Sequence, residues 1–120
     1  MSTPARRIRV LVAEDSLTVR TLLLAILAED DALEVVGTAF DGHEAVRKTR
    51  ELKPDVVTMD IQMPGCDGFE ATRRIMSENP TPIVIVSGHA DVKEAAFSMR
   101  ALQDGALAVL ARPSVGAASS

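Results

Sequence analysis

Several short apolar runs in this chain end in polar residues that suit a common chemistry. Ile8 to Ala13 leads into Glu14-Asp15, and Asp55 to Met59 leads into Asp60. Ile83 to Val86 leads into Ser87-Gly88, and Leu107 to Ala111 into Arg112-Pro113. Three carboxylates brought together repel one another, and burial raises some of their pKa values. A hard divalent cation relieves that repulsion. Mg²⁺ is the natural choice, because it is held by one or two carboxylates and keeps several waters. Ser87 adds a hydroxyl and Arg112 a fixed positive charge. Carboxylates, Mg²⁺, a hydroxyl and a cation make a site for a phosphoryl group, with a carboxylate as candidate nucleophile.

For these residues to meet, the elements carrying them must converge. Ile8 to Ala13 is short, apolar and β-branched, and reads as a strand. Ser16 can cap the helix that follows, with Val19, Leu23, Ile26 and Leu27 on one face. Leu33 to Ala39 reads as a second strand. Asp41 and Glu44 have the capping-box spacing and open a helix to about Leu52. Asp55 to Asp60 reads as a third strand, and Asp67 with Glu70 opens a helix to about Glu78. Pro80 and Pro82 break that helix before a fourth strand, Ile83 to Val86. Val92, Ala95, Ala96, Met99 and Leu102 predict a single helix stopped near Gly105, ahead of a fifth strand, Leu107 to Ala111. Five strands alternating with four helices predict a parallel sheet covered on both faces. In such sheets ligands sit at the carboxyl ends of the strands, where Glu14, Asp15, Asp60, Ser87 and Arg112 fall.

Composition narrows the alternatives. The 120 residues carry a net charge of −4, no Trp or Tyr and three Phe, which argues against nucleic-acid binding. No apolar run is long enough to span a bilayer. Met1 to Arg7 is polar, so no secretory signal is read and a cytoplasmic location is expected. The one Cys, Cys66, excludes an internal disulfide and fits a reducing compartment. Cys66 reads as a loop thiol without function, and His43 and Arg73-Arg74 as solvated helix residues. His89, two positions after Ser87, lies beside the expected site. No G-x-G-x-x-G follows the first strand, and Gln62 stands where an aspartyl phosphatase would need a second acid.

The segment Asp60-Ile61-Gln62-Met63-Pro64-Gly65-Cys66-Asp67-Gly68 is the most specific part of a wider pattern. Together with Val10 to Ser16, Pro54 to Met59, Pro82 to Gly88, and Gly105-Ala106 ahead of Arg112-Pro113, it resembles a response-regulator receiver domain. Glu34 to Ala39 and Lys53 to Asp60 are most similar to the receivers of chemotaxis protein-glutamate methylesterases. The resemblance implies a flavodoxin-like, doubly wound sheet of order 2-1-3-4-5. It implies domain bounds of 7–113, with an N-terminal tail at 1–6 and a tail or start of linker at 114–120. It makes Asp60 the acceptor of a phosphoryl group from a sensor histidine kinase. Asp15, Glu14 through a water, Asp60 and the backbone carbonyl of Gln62 become Mg²⁺ ligands. Ser87 would bond a phosphoryl oxygen and begin a conformational switch that controls an output domain or downstream protein. The domain would assist only its own phosphorylation and dephosphorylation.

Three departures from the family pattern bear on that reading. Arg112 stands where the family has Lys, and the two are not interchangeable. Val109 stands where many receivers place a switching Phe or Tyr. Receivers carry a fifth helix after the last strand, and Ser114 to Ser120 cannot supply three turns, so that helix is expected to be missing or truncated. The apolar face left open would favour a homodimer. Arg112-Pro113 is expected to be cis, as in similar receivers. The competing reading is a degenerate receiver that binds a partner independently of phosphorylation.

Overall fold

The computed structural model describes residues 6–113, apart from the side chain of His89. The tails expected at 1–6 and 114–120 therefore lie outside it, save Arg6. Five strands, β1 (Ile8–Ala13), β2 (Leu33–Ala39), β3 (Val56–Met59), β4 (Ile83–Ser87) and β5 (Ala108–Ala111), form one parallel sheet of order β2-β1-β3-β4-β5. The helices are α1 (Leu17–Ala28), α2 (Gly42–Leu52), α3 (Gly68–Glu78), α4 (His89–Lys93) and α5 (Ala95–Gln103). None of these helices is long and apolar enough to cross a membrane.

The period-two alternation of each strand sorts its side chains between two faces. Leu11, Val57, Met59, Ile83 and Ile85 point to one side and join Val46, Phe69, Ile75 and Ala101 of α2, α3 and α5 in the larger core. Val10, Val12 and Val86 point to the other, where Leu23 of α1 meets them and Val56 and Val84 pack alongside. The α1 side is less filled. An apolar groove of about 380 Å³ runs between Leu23, Leu27, Val56, Val84, Val86 and Leu110. No helix follows β5 among the described residues.

The expected caps are present. Ser16 Oγ accepts the Val19 N–H at 3.3 Å, Asp41 Oδ1 the Glu44 N–H at 2.8 Å, and Asp67 Oδ1 the Glu70 N–H at 2.9 Å. Each satisfies a helical N–H that has no partner within its own helix. At Gly68 a Cβ would collide with the carbonyl oxygen of Asp60 and lie 2.7 Å from Ile61 Cα. Only glycine lets α3 start against the end of β3.

Two expectations are corrected here. The helix expected between Val92 and Leu102 is two helices, making five in all. Glu94 is extended at φ −82°, ψ 121° and ends α4 while starting α5. The break is chemically supported: Glu94 N–H donates to the Asp91 carbonyl, and the Ser98 hydroxyl donates to the Val92 carbonyl at 3.4 Å. It also rotates the chain, so Phe97, Ser98 and Ala101 turn inward while Met99 and Leu102 are exposed. Second, no cis peptide bond occurs among the described residues, and Arg112–Pro113 is trans. Trans is the lower-energy isomer even before proline. The long Arg112 side chain reaches the strand ends from that backbone.

Candidate functional site at the carboxyl ends of the strands

The strand order places β1 between β2 and β3, so the residues that follow β1 and β3 emerge side by side. Backbone pairing continues past the strands, with Asp60 N–H donating to the Ala13 carbonyl at 3.0 Å. This brings Glu14, Asp15 and Asp60 together, each offering a carboxylate oxygen within 4.8 Å of the others. Glu14 and Asp60 are buried, at 1% and 2% exposure, and Asp15 is exposed.

Part of this cluster is tied down. Glu14 Oε2 accepts the Ser16 N–H at 3.1 Å, and its main-chain carbonyl accepts from Arg20 Nη1 at 3.1 Å. Asp60 Oδ1 accepts the Gln62 N–H at 3.3 Å and faces Arg112 Nη1 at 4.0 Å. The other oxygens, Glu14 Oε1 and Asp60 Oδ2, are buried and have no hydrogen-bond partner among the described residues. Burial pushes the Glu14 carboxyl up to about 8; the Ser16 N–H opposes the shift and the charge of Asp60 adds to it. Burial also raises Asp60, against a proton that Glu14 can keep and share with it, the Gln62 N–H and the Arg112 charge.

Buried polar atoms are seldom left without partners. This cluster has two forms of relief, a retained proton or a hard cation. Two buried carboxylate oxygens and an exposed third acid match what Mg²⁺ takes from a protein, since water completes its shell. The donor set therefore fits the ion.

On the β4–β5 side, Ser87 is the last residue of β4 and is buried. Its carbonyl accepts the Arg112 N–H at 2.7 Å, which fixes where Arg112 leaves the sheet. A Cβ on Gly88 would lie 3.8 Å from Arg112 Nη2, so the guanidinium lies over Gly88 as well as beside Asp60. The Ser87 hydroxyl donates to Asp91 Oδ2 at 3.3 Å rather than to any acid of the cluster.

The structure thus gathers Glu14, Asp15, Asp60, Gln62 and Arg112, and sets Ser87 on the adjoining strand. The side chain of His89 lies outside the described residues. Sequence reasoning missed Arg20 and Asp91. Arg20 reaches back to the Glu14 carbonyl from α1, and Asp91 meets Ser87 across the β4–α4 junction; neither contact follows a local spacing rule. Cys66 is a loop thiol, in the segment between β3 and α3, and it is buried. It is 1% exposed, with Gly42 packed on its backbone, and burial pushes its thiol up to about 11. Arg73 and Arg74 are partnered, Arg73 with Asp104 at 3.0 Å and Arg74 with Glu78 at 3.6 Å. Val109 is half-buried and packs on the larger core.

Comparison with known proteins accords with this geometry. The family described as response regulator receiver domain matches residues 10–117. A protein-glutamate methylesterase/protein-glutamine glutaminase of Geobacter metallireducens is 52% identical over 106 residues, 88% of this chain and 30% of that protein. This chain therefore spans less than a third of that relative. The crystal structure of the response regulator domain of Thermotoga maritima CheB superposes with a TM-score of 0.84 at 44% identity, covering 90% of this chain and 80% of that one. The CheX-CheY-BeF3-Mg²⁺ complex from Borrelia burgdorferi gives a TM-score of 0.81 at 27% identity, covering 91% of this chain and 81% of that one.

Proposed function

Because the chain belongs to the response regulator receiver domain family, we propose that Asp60 accepts a phosphoryl group from the phosphohistidine of a sensor kinase. One observation carries this reading: the buried, unpartnered oxygens of Glu14 and Asp60 lie in a three-acid cluster faced by Arg112. Perturbed, partly unsatisfied acids beside a fixed cation are the mark of a site built to bind. In the transfer, an Asp60 carboxylate oxygen attacks phosphorus and the bond from phosphorus to the donor nitrogen breaks. Asp60 is left as an acyl phosphate.

Glu14, Asp15, Asp60 and the Gln62 carbonyl would hold Mg²⁺, which when bound neutralises charge developing on the phosphoryl oxygens. Arg112 supplies a positive charge from the opposite side, and Gly88 leaves room beneath it. Ser87 turns its hydroxyl to a phosphoryl oxygen, which starts the conformational switch. The solved relative carrying BeF3 and Mg²⁺ supports a site of this chemistry in this fold.

The receiver spans 7–113, between a tail at 1–6 and a tail or linker at 114–120, in the cytoplasm. Its output is a further domain or protein, and the methylesterase relatives support chemotaxis as the setting. The receiver assists only its own phosphorylation and dephosphorylation; esterase chemistry would belong to another domain. We place self-association on the groove beside α1, and a monomer by light scattering at high concentration removes that part.

The experiment is labelling by acetyl phosphate with Mg²⁺, read by intact-mass spectrometry. A labile adduct on the wild type that Asp60→Asn lacks supports the reading. One observation favours the alternative of a phosphorylation-independent binding module: Arg112 already faces Asp60 as an ion pair. That alternative wins if the wild type stays unlabelled while Arg112→Lys labels.

A further inference from the structure

We propose that Asp91 is the resting-state acceptor of the Ser87 hydroxyl and thereby latches α4 to the site. Its functional consequence rests on the phosphoryl-acceptor reading above. The observation is the 3.3 Å contact from Ser87 Oγ to Asp91 Oδ2, made by a buried serine at the end of β4 to a half-buried acid in the first turn of α4. A serine hydroxyl has one proton to give. While Asp91 holds it, a phosphoryl oxygen on Asp60 cannot, and the two acceptors compete for one donor.

Asp91 is well placed to pass the outcome on. Its carbonyl accepts the Glu94 N–H at 3.1 Å, and Glu94 is the extended residue that separates α4 from α5. One residue therefore bonds both the site serine and the break in the helix. α4 is only five residues long. Its first turn is closed by the Val92 N–H, which donates to the carbonyl of the N-cap Gly88 at 3.1 Å. When the hydroxyl turns to a phosphoryl group, the Asp91 carboxylate loses its donor beside an added negative charge. α4 is then held by fewer bonds, with Glu94 as the point where its direction can change.

The competition sets the sign of the test. Asp91→Ala removes the rival acceptor and should raise affinity for beryllofluoride with Mg²⁺ by about threefold, the scale of one partly exposed hydrogen bond. Asp91→Asn keeps an amide oxygen to accept the hydroxyl and should fall between. Binding is followed by ¹⁹F NMR. In a Ser87→Ala background, Asp91→Ala should change nothing further. An effect of Asp91→Ala that persists without the serine hydroxyl comes from the charge at the helix start and overturns the latch.

Amide exchange in the free protein gives a second readout that needs no phosphoryl chemistry. Exchange at Val92 and Glu94 should quicken alike in Asp91→Ala and Ser87→Ala, and no further in the double variant. Additive changes overturn the proposal. If the wild type binds no beryllofluoride with Mg²⁺, the phosphoryl-acceptor reading fails, and the exchange cycle still decides whether the latch exists.

Discussion

On the β1–β3 side of the pocket the backbone does the holding. Glu14 and Asp60 sit where two paired strands end, the Ser16 and Gln62 N–H groups clamp their carboxylates, and α3 closes on Asp60 through Gly68. On the β4–β5 side a backbone bond from Arg112 to Ser87 sets where the chain leaves the sheet, but the groups that face the pocket are side chains. Ser87 gives its hydroxyl to an acid on a short helix, and the Arg112 side chain, 35% exposed, reaches in from past the strand end. The difference divides the labour. Charge is fixed where the main chain enforces it, and response is left to groups that rotate at little cost.

The largest test of this contrast is pH. An acid whose folded pKa lies above its unfolded value keeps a proton in the native state that the unfolded chain has released. Stability from Glu14 is therefore greatest at low pH and falls as pH rises from about 4.5 to about 8. The slope should approach about 1.4 kcal/mol per pH unit in metal-free protein. Urea unfolding followed by circular dichroism should show the decline, Glu14→Gln should flatten it, and Mg²⁺ should oppose it. No comparable slope should come from Ser87→Ala.

Next in size is Gly68→Ala. The added carbon meets main-chain atoms of Asp60 and Ile61, which cannot rotate away. A loss of about 3 kcal/mol is expected, at the upper end for overpacking. Gly88→Ala on the responsive side meets only Arg112 Nη2 at 3.8 Å, an ordinary contact, and should cost far less. Equal losses would mean that the two sides are held alike.

The same division governs what the sequence could reveal. Strands and caps were legible because they follow local rules: β-branched runs for β1 and β4, and an acceptor three residues ahead of an orphan N–H at Ser16, Asp41 and Asp67. The acids were legible because strand ends converge in a parallel sheet. The helix break at Glu94 was not. The apolar residues Val92, Ala95, Ala96, Met99 and Leu102 fit one continuous stripe, and only tertiary packing turns Phe97 and Ala101 inward instead. Nor was the Ser87–Asp91 bond foreseen, since a hydroxyl rotor chooses among acceptors in three dimensions. The trans bond at Arg112–Pro113 departs from the family analogy, and Arg112 faces Asp60 at 4.0 Å from that backbone.

Smaller effects follow on binding. Asp15 is the exposed acid of the cluster, so Asp15→Asn should weaken Mg²⁺ by about tenfold, about 1.4 kcal/mol, without loss of fold. Calorimetric titration checks it, since neither Trp nor Tyr is present to report. Arg112→Lys should change the acetyl phosphate labelling rate by about threefold, because both residues keep the charge and differ in geometry. A hundredfold change would move Arg112 from the responsive side to the fixed one.

The central claim is that Asp60 is the residue that takes the phosphoryl group. Its most direct test is chemical trapping of the site. Protein treated with acetyl phosphate and Mg²⁺ is reduced with borohydride, which converts an aspartyl phosphate to homoserine, and is then sequenced by tandem mass spectrometry. Homoserine is expected at position 60 alone, dependent on Mg²⁺ and lost in Asp15→Asn at limiting metal. Homoserine at position 15, or a labelled protein with Asp60 unmodified, would contradict it.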